Sequence, residues 1–298
     1  MEPKIDILRF SEMMKPELTG LSVLTTICAY YLASRNGIDV LHLFYTALGT
    51  LLVGGAAGTL NQYIERNYDR LMKRTERRPL PSGRMTPRVA LVFGLSLAFV
   101  GLSILLFKVN GVATGIALLT LLSYLFVYTP LKRRTTLNTI VGTIPGALPA
   151  LIGWTAVRND VSSPAIMLFA MLVFWQMPHF LSLGWMYRKD YARAGFKMLP
   201  VIDEKGRRIG FSLLAYSILL LLTSTSFTLL RIAGSWYLVG SLLMGLLFIV
   251  PILKFVEAAR SENEMATIRK NRFSRIIFFS SLIYLPGLML LMSLDRIG

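Results

Sequence analysis

The chain has 298 residues, 54% of them hydrophobic, with a mean hydropathy of +0.57. A soluble domain of this size builds its core with far fewer apolar residues. The net charge of +16 points to an anionic partner, but no aromatic stacking pattern or recognition motif accompanies it, which argues against nucleic acid, and the single cysteine, Cys28, excludes a disulfide framework or a Cys-built metal site within one chain.

The N-terminal stretch Met1 to Lys15 is short and mixed in charge. It lacks the layout of a cleavable signal and the acid-poor, Arg/Ser-rich character of a transit peptide. The first apolar block is therefore expected to act as its own insertion signal, as in a prokaryotic membrane protein. Cys28 lies inside that block and reads as a small packing residue.

Nine apolar blocks follow one another near 18–35, 40–62, 89–107, 111–130, 138–157, 165–186, 209–230, 235–256 and 273–294. Each approaches the roughly 20 residues a spanning helix needs. The expected fold is an all-α integral membrane bundle of nine transmembrane helices, forming one domain over 1–298. Within the second block, Gly54-Gly55-Ala56-Ala57-Gly58 offers a surface that a neighbouring helix can approach closely.

Lys and Arg are split unevenly by this alternation. The N-terminal segment and the loops after spans 2, 4, 6 and 8 hold 27 of them. The opposite side holds five: Arg35, Lys108, Arg158, Arg231 and Arg296. The positive-inside rule then places the N-terminus in the cytoplasm and the C-terminus outside the cell membrane. Topology alone explains much of this asymmetry, but the basic side also carries 13 of the 16 acidic residues, some at a specific spacing.

The first such spacing is Asn61, Glu65 and Asp69, at the basic end of span 2. Four residues on a helix return to within about 40° of the same direction, so the three form one stripe. Arg66, Arg70 and Arg74 are expected to form a second stripe beside it. Carboxylates and an amide on one face suit Mg²⁺, which takes oxygen ligands and shares its shell with phosphates. The neighbouring cations suit the phosphate oxygens. The plain alternative is an interfacial helix end with i,i+4 ion pairs, although polar residues at the end of an apolar span are costly and often functional. The loop that continues, Lys73 to Arg84, is dense in cations and stiffened by Pro79 and Pro81. It reads as a lid over an anion or as a contact with lipid headgroups.

Between spans 4 and 5, Lys132, Arg133 and Arg134 precede Asn138. They read as a diphosphate clamp or as an ordinary positive-inside loop. Span 6 carries Trp175-Gln176-Met177-Pro178-His179-Phe180, and after it come Arg188, Lys189, Asp190 and Arg193. His179 and Gln176 are expensive within a span unless they face a cavity or a partner. His179 reads as a metal ligand, a substrate hydrogen-bond partner or an interhelical hydrogen bond. Asp190 reads as a cation ligand or an ion-pair partner.

Taken together, these pieces resemble the UbiA-type intramembrane prenyltransferase superfamily, with nine spans and acidic motifs after helices 2 and 6. Asn61, Glu65 and Asp69 match the first motif, and Asp190 matches part of the second. The runs Asn61 to Asp69, Arg74 to Leu80, Tyr128 to Arg133, Gly142 to Pro149, Trp175 to Phe180 and Asp190 to Pro200 are similar to those of the protohaem IX farnesyltransferase family. Gln62 stands where many superfamily members have Asp, and Ala194 and Gly195 stand where others place another carboxylate.

The resemblance implies farnesyl diphosphate and haem b as substrates, haem O and diphosphate as products, and Mg²⁺ as cofactor. It implies metal and catalytic roles for Asn61, Glu65, Asp69 and Asp190. It implies diphosphate contacts for Arg66, Arg70, Arg74, Lys132, Arg133, Asn138 and Lys189, and haem contacts for His179, Gln176 and Trp175. It implies a lipid bilayer as environment and haem A synthase as a candidate partner. Prenylation of an aromatic quinone precursor is the enzymatic alternative. A transporter for an anionic lipid-like solute is the non-enzymatic one, and it should show internal repeats with interrupted helices.

Overall fold

Most of the helix starts follow from local chemistry. Asp39 accepts from the His42 backbone N–H, Asn110 from Ala113 and Asn263 from Ala266, at 2.8–3.0 Å. Each satisfies a donor that the first helical turn leaves open. Pro16, Pro87 and Pro164 stand in first turns, where no backbone N–H is required.

The computed structural model describes residues 7–35 and 37–297. The N-terminal residues 1–6, with Lys4 of the basic count, and the C-terminal Gly298 lie outside the described residues. In chain order the helices are α1 (Ile7–Met14), α2 (Pro16–Ala33), α3 (Val40–Asp69), α4 (Pro87–Lys108), α5 (Gly111–Leu122), α6 (Thr129–Leu131), α7 (Asn138–Arg158), α8 (Ser163–Met186), α9 (Arg188–Arg193), α10 (Leu199–Ile202), α11 (Arg207–Leu229), α12 (Ser235–Ala259) and α13 (Glu264–Leu294). A π-helical turn, Ser123–Tyr128, links α5 to α6.

Among the described residues, eight helices are long and apolar enough to cross a membrane: α3, α4, the run Gly111–Leu131, α7, α8, α11, α12 and α13. The first expected span is present as α2, 18 residues long, which falls outside that set of eight. The expected all-α bundle is thus the observed one. Its outward faces are greasy: Phe99, Phe107, Leu247 and Ile283 are each at least 70% exposed. Such surface suits acyl chains rather than water. Most Ser and Thr hydroxyls within the helices donate to carbonyls three or four residues earlier, which satisfies them without a partner helix.

The chain forms two compact units. One holds the chain up to Pro130 together with Leu148–Asp160. The other holds Leu131–Ala147 and the chain from Val161 onward.

In the first unit, α1 crosses α3 at the small-residue run. A side chain at Gly55 would meet Met14, and one at Gly58 would meet the carbonyls of Met13 and Met14 at 3.3 and 3.0 Å. The close approach expected of this run is therefore made by the N-terminal segment. Met13 also packs with Leu80, Met85 and Ala90, and Phe10 meets Phe93 edge-on at 4.9 Å. The basic loop after α3 is thereby anchored at the same end as α1. The other end of this unit carries Tyr30 with His42 and Asn110 with the Thr155 and Ala156 carbonyls.

In the second unit, α8 and α13 form a long antiparallel seam. Trp175 Nε1 donates to the Ser281 carbonyl at 2.8 Å, Ser274 Oγ to the Ser182 carbonyl at 2.7 Å, and Trp185 Nε1 to Asn271 Oδ1 at 3.0 Å. At the far end of α13, Asp295 accepts from the backbone of Tyr237 and its own carbonyl accepts from Gly234, which closes the start of α12.

Candidate functional site

The last three turns of α3 bury four polar side chains: Asn61, Gln62, Glu65 and Asp69, each at most 6% exposed. Burial of this kind requires partners, and most of them come from elements far away in sequence. Lys15 donates its ammonium to Asn61 Oδ1 at 2.6 Å, and Asn61 Nδ2 donates to Thr129 Oγ1 at 3.0 Å. Lys15 adopts a left-handed backbone (φ 52°) between α1 and α2. Thr129 leaves the π-helical turn and returns its own proton to the Tyr124 carbonyl. Gln62 Nε2 donates to the carbonyls of Glu12 and Met13 at 3.0 and 3.1 Å, so Gln62 ties α1 to α3. Arg78 holds Asp69 Oδ2 at 2.9 Å, and Thr75 donates to the Asp69 carbonyl.

The expected second stripe is only partly built. Arg66 lies on the helix, its guanidinium donating to the Tyr63 carbonyl and sitting 4.7 Å from the Tyr63 ring centroid. Arg70 caps the helix. Arg74 lies beyond it in the turns that follow, because α3 ends at Asp69 where Thr75 folds back onto that carbonyl. Arg70 and Arg74 are both exposed.

Among the described residues no group of three His, Cys, Asp or Glu side chains converges as a metal cluster. The stripe of Asn61, Glu65 and Asp69 offers two carboxylates and one amide. All are oxygen donors spaced one turn apart, a chemistry that fits Mg²⁺.

In the second unit, Asn138 is fully buried, and its Nδ2 donates to the carbonyls of Thr135 and Lys197. The Lys197 backbone N–H in turn donates to the Lys132 carbonyl at 2.8 Å. Asn138 therefore fixes the turn after α9, which bends at Gly195 (φ 70°). Lys132 is half-buried and Arg133 exposed. Lys189 is exposed, and Asp190 forms an ion pair with Arg193.

His179 lies in the α8–α13 seam, stacked on Trp175 at 5.1 Å and beside Phe278 at 4.8 Å. Its Nδ1 is 2.8 Å from Ser281 Oγ, while Ser281 Oγ donates its one proton to the Phe278 carbonyl at 2.6 Å. In the tautomer that lets Ser281 keep its bond to the Phe278 carbonyl, Nδ1 carries the ring hydrogen. Nε2 is then the nitrogen with the lone pair, the tautomer a metal ligand needs. Gln176 Nε2 donates to the Thr143 and Leu172 carbonyls. A side chain at Gly146 would collide with Gln176 Oε1.

Sequence reasoning gives no site role to Lys15, Thr129 and Ser281, notes Gln62 only as a departure from the superfamily motif, and includes Arg78 only within the Lys73–Arg84 loop. Lys15 had one readable signal, a cation directly before a proline at the start of a span.

A model of the UbiA prenyltransferase family matches residues 22–283. A protoheme IX farnesyltransferase of Solibacter usitatus is 41% identical over 298 residues, covering 97% of this chain and 99% of its own. Another, of Salinibacter ruber, is 41% identical over 283 residues, covering 95% and 96%. A digeranylgeranylglyceryl phosphate synthase structure superposes with a TM-score of 0.77 at 19% identity, covering 96% of this chain and 98% of that one. A UbiA homolog from Archaeoglobus fulgidus bound to DMAPP and Mg²⁺ does so at 0.64 and 16%, covering 93% and 99%. The structural likenesses speak to the fold, while the family match and the near-full-length relatives establish kinship: the chain belongs to the UbiA prenyltransferase family.

Proposed function

We propose that this protein transfers the farnesyl group of farnesyl diphosphate to a vinyl group of haem b, giving haem O and diphosphate. The observation that carries the reading is the near-full-length identity with protoheme IX farnesyltransferases. The buried acidic stripe of α3 supports the diphosphate side of it.

In the proposed reaction the C–O bond between the allylic carbon and diphosphate breaks, and its electron pair leaves with diphosphate. The vinyl π electrons form the new C–C bond. Water adds to the resulting cation beside the pyrrole and loses a proton, leaving a hydroxyethylfarnesyl group. Glu65 and Asp69, with Asn61 and Asp190 assisting, are the residues that would hold Mg²⁺. Bound there, the ion would offset the charge that gathers on the leaving diphosphate. Arg66, Arg70, Arg74, Lys132, Arg133 and Lys189 add cationic charge for the same anion. Asn138 serves this set by fixing the Lys132 and Lys197 loops. Trp175, Gln176 and His179 are the haem contacts, His179 through Nε2. An apolar interior keeps bulk water from the allylic cation before the C–C bond forms.

The same reading treats residues 1–298 as one transmembrane prenyltransferase domain in the cell membrane of a prokaryote. Its N-terminus and basic loops are cytoplasmic and its C-terminus external. Haem A synthase is the partner that would take up the product.

The test is expression in a membrane that makes haem b but no haem O, followed by extraction and mass analysis of the pigments. Appearance of haem O supports the proposal. Its absence, with prenylation of a phenolic acid by the purified protein, would replace haem with an aromatic acceptor.

A further inference from the structure

At the end of α8 a single indole carries two cations. Trp185 is 1% exposed, and its Nε1 is held by Asn271 of α13. The Arg188 guanidinium lies 4.3 Å from the indole centroid and donates to the Trp185 carbonyl at 2.7 Å and to Asn271 Oδ1 at 3.2 Å. The Lys270 ammonium lies 5.5 Å from the same ring and donates to the Lys205 carbonyl at 3.2 Å. Gly206, at φ 78°, brings the backbone close enough that a side chain there would stand 3.1 Å from the indole.

Neither cation has a carboxylate partner among the described residues. Asp203 accepts from the Ile209 backbone, and Glu262 pairs with Lys205 at 2.7 Å and Arg207 at 3.5 Å. Yet Lys270 is only 3% exposed. Two like charges gathered on one ring, the ammonium withdrawn from water and the guanidinium half-buried, are costly, and an anion beside them relieves that cost. A cation–π contact offsets only a small part of it.

We infer that Arg188 and Lys270, fixed by Trp185 and Asn271, form a carboxylate-binding site that takes the propionates of the porphyrin acceptor. The inference rests on the proposed haem acceptor and names the atoms of haem that the protein recognises. A guanidinium presents paired N–H groups that match a carboxylate. Propionates lie on one edge of haem b and vinyls on other edges, so anchoring the first fixes where the second can reach. Trp185 lies six residues beyond His179 on α8, a rise of about 9 Å, comparable to the span from a propionate carboxyl to the iron. Both residues face α13.

The experiment compares haem b with its dimethyl ester as acceptor, using the full-length protein in detergent or vesicles. With the unaltered protein, esterification should raise KM on the order of tenfold or more, the worth of a lost charge-assisted hydrogen bond. KM for farnesyl diphosphate should stay the same. Arg188→Gln and Lys270→Gln should each raise KM for haem by a similar factor and lose their effect with the ester. Equal KM for acid and ester on the unaltered protein would overturn the inference. So would variants that lower kcat equally on both acceptors, since that pattern is a structural role for the Trp185 cluster. Variants that weaken haem and farnesyl diphosphate alike would point to an anionic lipid headgroup at the site, and would also overturn it. Failure of the unaltered protein to use haem at all, with turnover of another acceptor, would instead overturn the proposed function.

Discussion

The ammonium of Lys15, half-buried, stands 2.6 Å from Oδ1 of the fully buried Asn61, 46 residues away in the chain. The contact fixes the orientation of the Asn61 amide, because its Nδ2 must then face Thr129. One oxygen of the acidic stripe is thus already engaged by a cation of the protein itself.

Replacing that amide separates its electrostatic and structural parts. Asn61→Leu removes the buried acceptor for the Lys15 ammonium and the donor to Thr129 Oγ1, and should destabilise the protein by about 1–3 kcal/mol. Asn61→Asp keeps an acceptor for Lys15 and should cost much less. Thermal melting of both variants in detergent measures the difference. Equal melting temperatures would show that Lys15 relaxes away from this position.

Glu65→Gln and Asp69→Asn should yield inserted protein with little farnesyl diphosphate turnover and a raised Mg²⁺ requirement. Asp69→Asn should also loosen the Lys73–Arg84 loop, because Arg78 loses its carboxylate. Limited proteolysis of that loop checks the second effect. Diphosphate release with and without chelator checks the first. Undiminished turnover by both variants would remove the acidic stripe from the reaction.

Gly146→Ala should cost about 1–3 kcal/mol, because the new methyl group meets Gln176 Oε1 and strains the bond from Gln176 to the Thr143 carbonyl. Gln176→Ala in the same chain should recover part of that loss. A double-mutant cycle on melting temperature reads the coupling. Additive effects would mean that the Gln176 side chain moves freely aside.

Ser281→Ala and His179→Ala part the two readings of the seam. If Nε2 of His179 ligates haem iron, His179→Ala should shift the Soret band of haem-loaded protein. Ser281→Ala should keep the band near its position, since only the second bond to the ring is lost. Matching spectra for both variants and the unaltered protein would reduce His179 to a packing and hydrogen-bonding role in the seam.

Hydropathy located the spans well because bilayer thickness imposes long apolar runs. It was poorer where helices continue beyond the apolar run. α3 continues to Asp69 past an apolar stretch that closes near 62, and α13 starts at Glu264, nine residues ahead of its apolar part. Those extensions are amphipathic or polar, and a hydropathy window does not register them. The π-helical turn at Ser123–Tyr128 has no composition signature, and the Thr129 hydroxyl bonds back to the Tyr124 carbonyl at its end.

Within the site, the stripe of Asn61, Glu65 and Asp69 was readable because it lies on one helix. Its partners were not, because Lys15, Thr129 and Arg78 reach it through turns and neighbouring elements. Arg74 falls off the expected second stripe because helical spacing does not carry past the end of α3 at Asp69. The sequence leaves Asn138 as part of a diphosphate clamp or of an ordinary positive-inside loop, and the structure gives its Nδ2 to the carbonyls of Thr135 and Lys197, contacts between segments that no local pattern reveals.

The ties of α1 to the rest of its unit also bear on how the chain is made. Glu12 and Met13 accept from Gln62, about fifty residues later, and Glu12 pairs with Arg84, 72 residues later. During synthesis the N-terminal helix leaves the ribosome well before any of these partners exists. At roughly 5–20 residues per second, it waits several seconds at the membrane surface and docks only after the α3–α4 hairpin has been inserted. A ribosome stalled before Arg84 should therefore carry an N-terminal helix still open to protease, and release of the stall should close it.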